Sequence, residues 1–163
     1  MKKYDVNQPI IFKRGIYQLN EESNFNYQLN RVINWDGGRL EDVQKVAGKI
    51  HNSKDWKREL IALGDEAITE ERVGNAIAYY RMSEFFMYDG DSDKKKYYEK
   101  ATDLFYQYYE DYFEGENPRI KRFTVPYKNV ELPVMHVVPE GKSKGTILIH
   151  GGNDSYFEEF LFT

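Results

Sequence analysis

The sequence has no cysteine, no proline between Pro9 and Pro118, no apolar run near the length of a membrane span, and no excess of basic residues. Each absence excludes something. Without cysteine there is no thiol nucleophile, no cysteine-rich zinc site and no disulfide scaffold. A span needs about 20 apolar residues in a row, and the N-terminal patch Ile10-Ile11-Phe12 is too short even for a secretory signal. The expected location is cytoplasmic, with no membrane contact. The 23 Lys plus Arg are outnumbered by 27 Asp plus Glu, a net charge of −4. That balance argues against nucleic acid as a partner, because neutralising phosphates takes clustered cations.

What is present is a chain of 163 residues, 40% hydrophobic and 16% aromatic, the size of one domain or one and a fraction. Such a chain buries roughly 70% of its unfolded surface without needing metal or disulfide staples. Disorder is therefore disfavoured.

Proline placement divides the chain. Four prolines (Pro118, Pro126, Pro133, Pro139) fall within 22 residues after a long proline-free stretch. Proline inside a helix costs about 3 kcal/mol, so the first stretch permits helices and the cluster does not. Charge shifts at the same place: residues 103–116 carry five acids and no base, and residues 118–145 carry six bases and two acids. The expected organisation is an N-terminal arm over residues 1–24, a helical domain over 25–114 and a strand-rich part over 115–163.

Helical spacing of apolar residues is repeated in the first part. Phe25, Leu29, Val32 and Ile33 share one face; after the Gly37-Gly38 break so do Leu40, Val43, Val46, Ala47 and Ile50. Ser53 is the expected N-cap of a third helix presenting Trp56, Leu60, Leu63 and Ala67. A fourth runs from about Glu70 to Tyr88 with Val73, Ala76, Ile77 and Tyr80 inward. A fifth follows the turn Asp89–Asp93 and presents Tyr97, Ala101, Leu104, Tyr108 and Tyr112. After Gly115 the pattern becomes alternating and β-rich, predicting three strands around Ile120–Val125, Val130–Val138 and Thr146–Ile149. The third is continuously apolar, as in a strand covered on both faces, and a helix is expected to start at Tyr156. Phe160, Leu161 and Phe162 form an apolar face that wants a partner surface. Three strands ending on a buried-type strand make a poor sheet alone. The expectation is the front part of a larger fold: a fragment, a shortened reading frame or half of a split enzyme.

Four strings carry candidate chemistry. Gly141-Lys142-Ser143-Lys144-Gly145 matches the letters of a nucleophile elbow, but the serine sits between charges in a strand-to-strand turn and not at a strand-to-helix turn. A hairpin turn is the expected reading. Asp89-Gly90-Asp91-Ser92-Asp93 imitates the start of a calcium loop, yet Lys94 and Lys100 stand where glycine and glutamate belong. A helix-breaking turn with Asp91 or Asp93 as N-cap accounts for it, so no metal or cofactor is expected. Nine tyrosines fall between Tyr79 and Tyr112; core and interface aromatics are the plain reading, pocket lining the alternative. Finally, His150-Gly151-Gly152-Asn153-Asp154-Ser155 joins an apolar strand, a glycine pair and a helix start. Such a turn suits an anion, either a developing oxyanion or a phosphate, with a plain tight turn as the alternative.

Phe123-Thr-Val-Pro-Tyr127, Leu132-Pro133-Val134 and Thr146–Ser155 with Glu158-Glu159 resemble the opening of an α/β-hydrolase. The resemblance is to the subgroup with a helical N-terminal cap, which includes fermentation-respiration switch proteins and pseudooxynicotine-type hydrolases. Arg31–Trp35, Trp56, Gly74–Arg81 and Tyr97–Ala101 resemble that cap. The resemblance covers about residues 25–163 and is strongest at 145–159. It implies an α/β fold, a helical cap followed by the first strands of a hydrolase sheet, and a serine hydrolase acting on carboxylic esters or a related small-molecule carbonyl substrate. It also implies that Gly152 and Asn153 lie at the oxyanion hole as backbone N–H donors, and that His150 is a loop residue and not the base. The nucleophile, acid and histidine of that family have no counterpart in this sequence, so the chain alone is expected not to hydrolyse esters. Self-association into a homo-oligomer is expected through the unfinished sheet edge or the Phe160–Phe162 face. The competing reading is a non-catalytic interaction module, since helices 70–88 and 94–113 resemble a tetratricopeptide-like hairpin. A solenoid, however, needs at least three repeats.

Overall fold

The computed structural model describes every residue except 2, 6, 9–14, 35–36, 117 and 163, and leaves the side chain of Phe162 undescribed. Expectations resting on Pro9, Ile10–Phe12, Trp35 and Phe162 therefore lie outside the described residues. Among the described residues the order is helices first, then strands: α1 Ser23–Asn34, α2 Leu40–Ala47, α3 Ser53–Thr69, α4 Val73–Ser83, α5 Ser92–Tyr108, α6 Glu110–Phe113, β1 Ile120–Tyr127 and β2 Val130–Val137. A 3-10 helix over Phe157–Phe162 closes the chain. The fold is mixed α and β.

The helices form where apolar spacing is helical, but their ends depart from the sequence expectation. α3 is capped by Asn52 and not by Ser53: the Asn52 side chain accepts from the N–H groups of Lys54 (2.9 Å) and Asp55 (3.0 Å). α4 starts at Val73 and not near Glu70, because α3 runs to Thr69 and is stopped by Glu71 in the left-handed region at φ 58°. The Arg72 N–H then reaches back to the Ala67 carbonyl, the six-to-one closure that ends many helices. Asp91, one of the two cap candidates, caps α5 by accepting from the Asp93 N–H.

α4 is the central element. It is buried along nearly its whole length, from Ala76 through Ser83, against α3 and α5. A helix covered all round needs polar satisfaction inside, and Tyr79 and Tyr80 supply it. The Tyr79 hydroxyl donates to Asp42 (2.8 Å) and accepts from the Arg39 N–H (2.9 Å), while the Tyr80 hydroxyl donates to Asp65. Close approach of α4 to α3 requires Gly64, where a Cβ would sit 2.4 Å from the Tyr80 ring. The Trp56 indole N–H donates to the Met82 carbonyl at 2.7 Å, tying α3 to the end of α4. Toward the end of α5 the inward pair is Phe105 and Tyr109; Leu104 and Tyr108, which the spacing favoured, are half-buried one position round the helix.

The segment before α1 lies extended along it. Asn34, Asn30 and Asn26 accept from the N–H groups of Gly15 (2.8 Å), Tyr17 (2.8 Å) and Leu19 (2.7 Å). Asn34 and Asn30 also donate back to the carbonyls of Gly15 (2.7 Å) and Tyr17 (2.8 Å). The geometry is commensurate: four helical residues rise about 6 Å and two extended residues about 6.6 Å.

Among the described residues the sheet contains two strands and not three. β1 and β2 pair antiparallel, with Ile120 opposite Val137 and Tyr127 opposite Val130, around the tight turn at Lys128. Residues 146–149 join no ladder; Ile147 and Leu148 are 87% and 88% exposed. An apolar strand of that kind gains its stability from neighbours on both edges and faces, and none of the described residues provides them. The β1–β2 ribbon is likewise largely uncovered, with Phe123, Val125, Leu132 and Val137 exposed.

Candidate functional site

The glycine turn is an exposed loop closed on itself. The Gly152 N–H donates to the Ser155 hydroxyl at 3.2 Å, and the Ser155 N–H returns to the Gly152 carbonyl at 3.3 Å. Gly152 and Asn153 are both exposed. His150 lies beside them with Nδ1 3.0 Å from the Gly151 carbonyl. Gly151 has to be glycine: a Cβ there would stand 2.3 Å from the Ser155 Cβ and 3.1 Å from the Phe160 ring.

Immediately after the loop the chain plunges into the helical layer. Glu158 and Glu159 are buried, and Phe160 and Leu161 are half-buried. This corrects the expectation of an apolar face open at Phe160 and Leu161. Leu161 packs instead on the cluster of Val73, Ile77, Phe105 and Tyr109. A 3-10 helix also replaces the regular helix expected from Tyr156.

Arg31 of α1 receives this segment. Its Nη2 donates to both carboxylate oxygens of Glu159, at 2.7 and 3.0 Å, and to the Asp154 carbonyl. Only 5% of each side chain is exposed. The guanidinium lies near two rings, 5.4 Å from the centroid of Phe85 and 5.5 Å from that of Tyr156. Tyr156 in turn is held by its hydroxyl, which lies 2.8 Å from a Glu84 carboxylate oxygen and 3.0 Å from the Arg81 carbonyl. Glu158 accepts from the Tyr106 hydroxyl at 3.1 Å. Burial, reinforced by that carboxylate, pushes the Tyr106 phenol well above its ordinary range. Two buried arginines, three buried glutamates and a ring of aromatics thus converge where the chain leaves the glycine loop.

The other strings resolve into local structure. The Ser143 hydroxyl donates to the Gly145 carbonyl (2.9 Å) and accepts from its N–H (3.3 Å) in an exposed turn that no strand follows. The acidic turn at 89–93 is filled by Lys57, whose Nζ lies 2.8 Å from Asp91 and 2.9 Å from Asp93. That ammonium holds the Asp91 carboxyl below its usual range and stands where a cation would bind. Among the described residues no group of three His, Cys, Asp or Glu side chains is placed to hold a metal ion, and no helix is long and apolar enough to cross a membrane. Of the tyrosines, Tyr79 and Tyr80 are fully buried with hydrogen-bonded hydroxyls, the plain core reading.

The Arg31–Glu159 pair escaped the sequence reading, which singled out both residues only within longer resembling strings. The chain matches no family model, no curated protein and no solved structure.

Proposed function

We propose that this chain supplies the helical cap and leading strands of a serine hydrolase of the α/β type, acting on carboxylic esters or a related carbonyl substrate. In this reading the loop 150–155 presents backbone N–H groups to a developing oxyanion, with Gly152 and Asn153 as donors, and the attacking serine and its base come from polypeptide outside these residues. The observation that carries it is the uncovered β structure. An exposed two-stranded ribbon and an exposed apolar run, Ile147–Ile149, precede a glycine loop that is tied to a well-packed helical layer. Strands of that composition fit a larger sheet. The Gly152 N–H now satisfied by Ser155 is released to a ligand by a single rotation of a serine side chain. A homo-oligomer formed through the ribbon belongs to the same reading.

The helical hairpin of α4 and α5 supports the interaction-module alternative, but it leaves the ribbon and the glycine loop without a role. A serine-directed fluorophosphonate separates the two. The complete gene product containing this chain is expected to be labelled at a serine outside residues 1–163, and the 163-residue chain is expected to remain unlabelled. Absence of labelling in the complete gene product would overturn the hydrolase reading. Labelling of the isolated chain that disappears in Ser143→Ala would move the nucleophile to the turn at 141–145.

A further inference from the structure

We propose that Arg31 is a positioning residue for the glycine loop, fixing the backbone next to Gly152 and Asn153 from the helical layer. The significance of that position rests on the hydrolase reading; the clamp itself rests on geometry alone. Loop 150–155 is exposed, and its bonds at Gly152 and Ser155 are made within the loop, so they shape the turn without placing it on the body of the protein. Placement comes from the next residues. Arg31 Nη2 donates at once to the Asp154 carbonyl, one residue past Asn153, and to the Glu159 carboxylate, five residues further on. One rigid guanidinium therefore sets the distance between the end of the loop and the start of the 3-10 helix.

The setting is stiff on every side. The rings of Phe85 and Tyr156 both lie within 5.5 Å of the guanidinium carbon, and Tyr156 is fixed to α4 and the residue after it through Arg81 and Glu84. The Phe160 ring backs Gly151 from below. A backbone N–H pair stabilises an oxyanion only when held in advance at the position where charge develops, and a shift of about 1 Å from a distant change costs about a hundredfold in rate. Arginine is the side chain that suits this task. The three bonds run from Nη2 alone, and Nη1 lies 3.5 Å from Gln28 Oε1, so the planar guanidinium is oriented from α1 as well, whereas a lysine ammonium is a point charge on a flexible stem. The pair is thus a selective device: charge alone does not reproduce it.

The test uses the 15N-labelled chain and Arg31→Lys, with Glu159→Gln as a second, isosteric variant in case the first does not fold. Backbone order parameters of residues 151–155 are expected to fall from the rigid range, about 0.85, toward the flexible range below about 0.6, while those of α3 and α4 stay unchanged. Loop amides as ordered in a folded variant as in the parent would overturn the proposal. Titration of the parent with inorganic phosphate judges the hydrolase reading separately. Amide shifts at Gly152 and Asn153 support the loop as an anion site; their absence counts against that reading, while the order parameters still decide the clamp.

Discussion

Arg31 and Glu159 stand 128 positions apart in the chain and 2.7 Å apart in space, each almost wholly withdrawn from water. Charges so placed are costly to separate from each other but not costly to remove together. Truncating one partner of a buried pair costs about 3–5 kcal/mol, because the other is left uncompensated, whereas an apolar pair of similar volume is often neutral or better. Glu159→Ala is therefore expected to lower the unfolding free energy by that amount, and Arg31→Met with Glu159→Leu to recover most of it. Urea unfolding of the three chains provides the comparison. A double variant no more stable than Glu159→Ala would show that the salt bridge is a net source of stability.

The asparagine ladder on α1 makes a second expectation. Asn30→Ala removes both bonds to Tyr17, worth about 1 kcal/mol each in a partly buried setting. The core residues of α1, Leu29, Val32 and Ile33, lie to one side of the asparagine column. The strap should open locally: limited proteolysis between residues 15 and 20 speeds up, and the thermal midpoint moves by only a few degrees. Cleavage at the parental rate would show that the strap is held by other contacts.

Lys57 and Asp91 give a pH dependence with a definite sign. The Lys57 ammonium lowers the Asp91 carboxyl below its ordinary value, and Asp91 raises Lys57. A carboxyl lowered on folding adds stability that is present above its ordinary pKa, about 3.9, and lost as the pH falls through the folded value. The parent should lose stability below about pH 4 more steeply than Asp91→Asn, as read by thermal melts from pH 2 to 7. Added calcium should leave both melts unmoved, since an ammonium already fills the acidic turn.

Much of the helical layer was legible because apolar periodicity is a strong local signal. Leu29, Val32, Val43, Trp56, Leu60, Ala76 and Ile77 all face inward as their spacing required. Failures came where periodicity has two answers or none. At the end of α5, Leu104-Phe105 and Tyr108-Tyr109 offer apolar residues in adjacent columns, and packing against Val73 and Ile77 decided for Phe105 and Tyr109. Glu71 stops α3 although glutamate carries no turn signal. The ladder was readable in principle, from asparagines spaced by four at 26, 30 and 34. The third strand failed because its sequence describes the neighbours it needs and not those it has. The string 150–155 marked a turn, but nothing local reveals that Arg31 donates to its Asp154 carbonyl.

The β1–β2 ribbon yields a fourth expectation. Val125 and Leu132 are directly opposed and both exposed. Apolar ribbons with open edges associate, so the parent should show concentration-dependent mass by light scattering at micromolar levels. Val125→Lys with Leu132→Lys places like charges opposite each other on that surface and should shift the distribution to monomer. A parent that is monomeric throughout would remove the ribbon as a self-association surface.

Because α3 packs on α4 and α4 on α5, the helical layer is built from neighbours in sequence, and such structure closes quickly with little loop entropy to overcome. On the ribosome these helices can be complete before residues 154–161 have been synthesised. Docking of Glu159 on Arg31 then joins a segment made later to a helix made earlier.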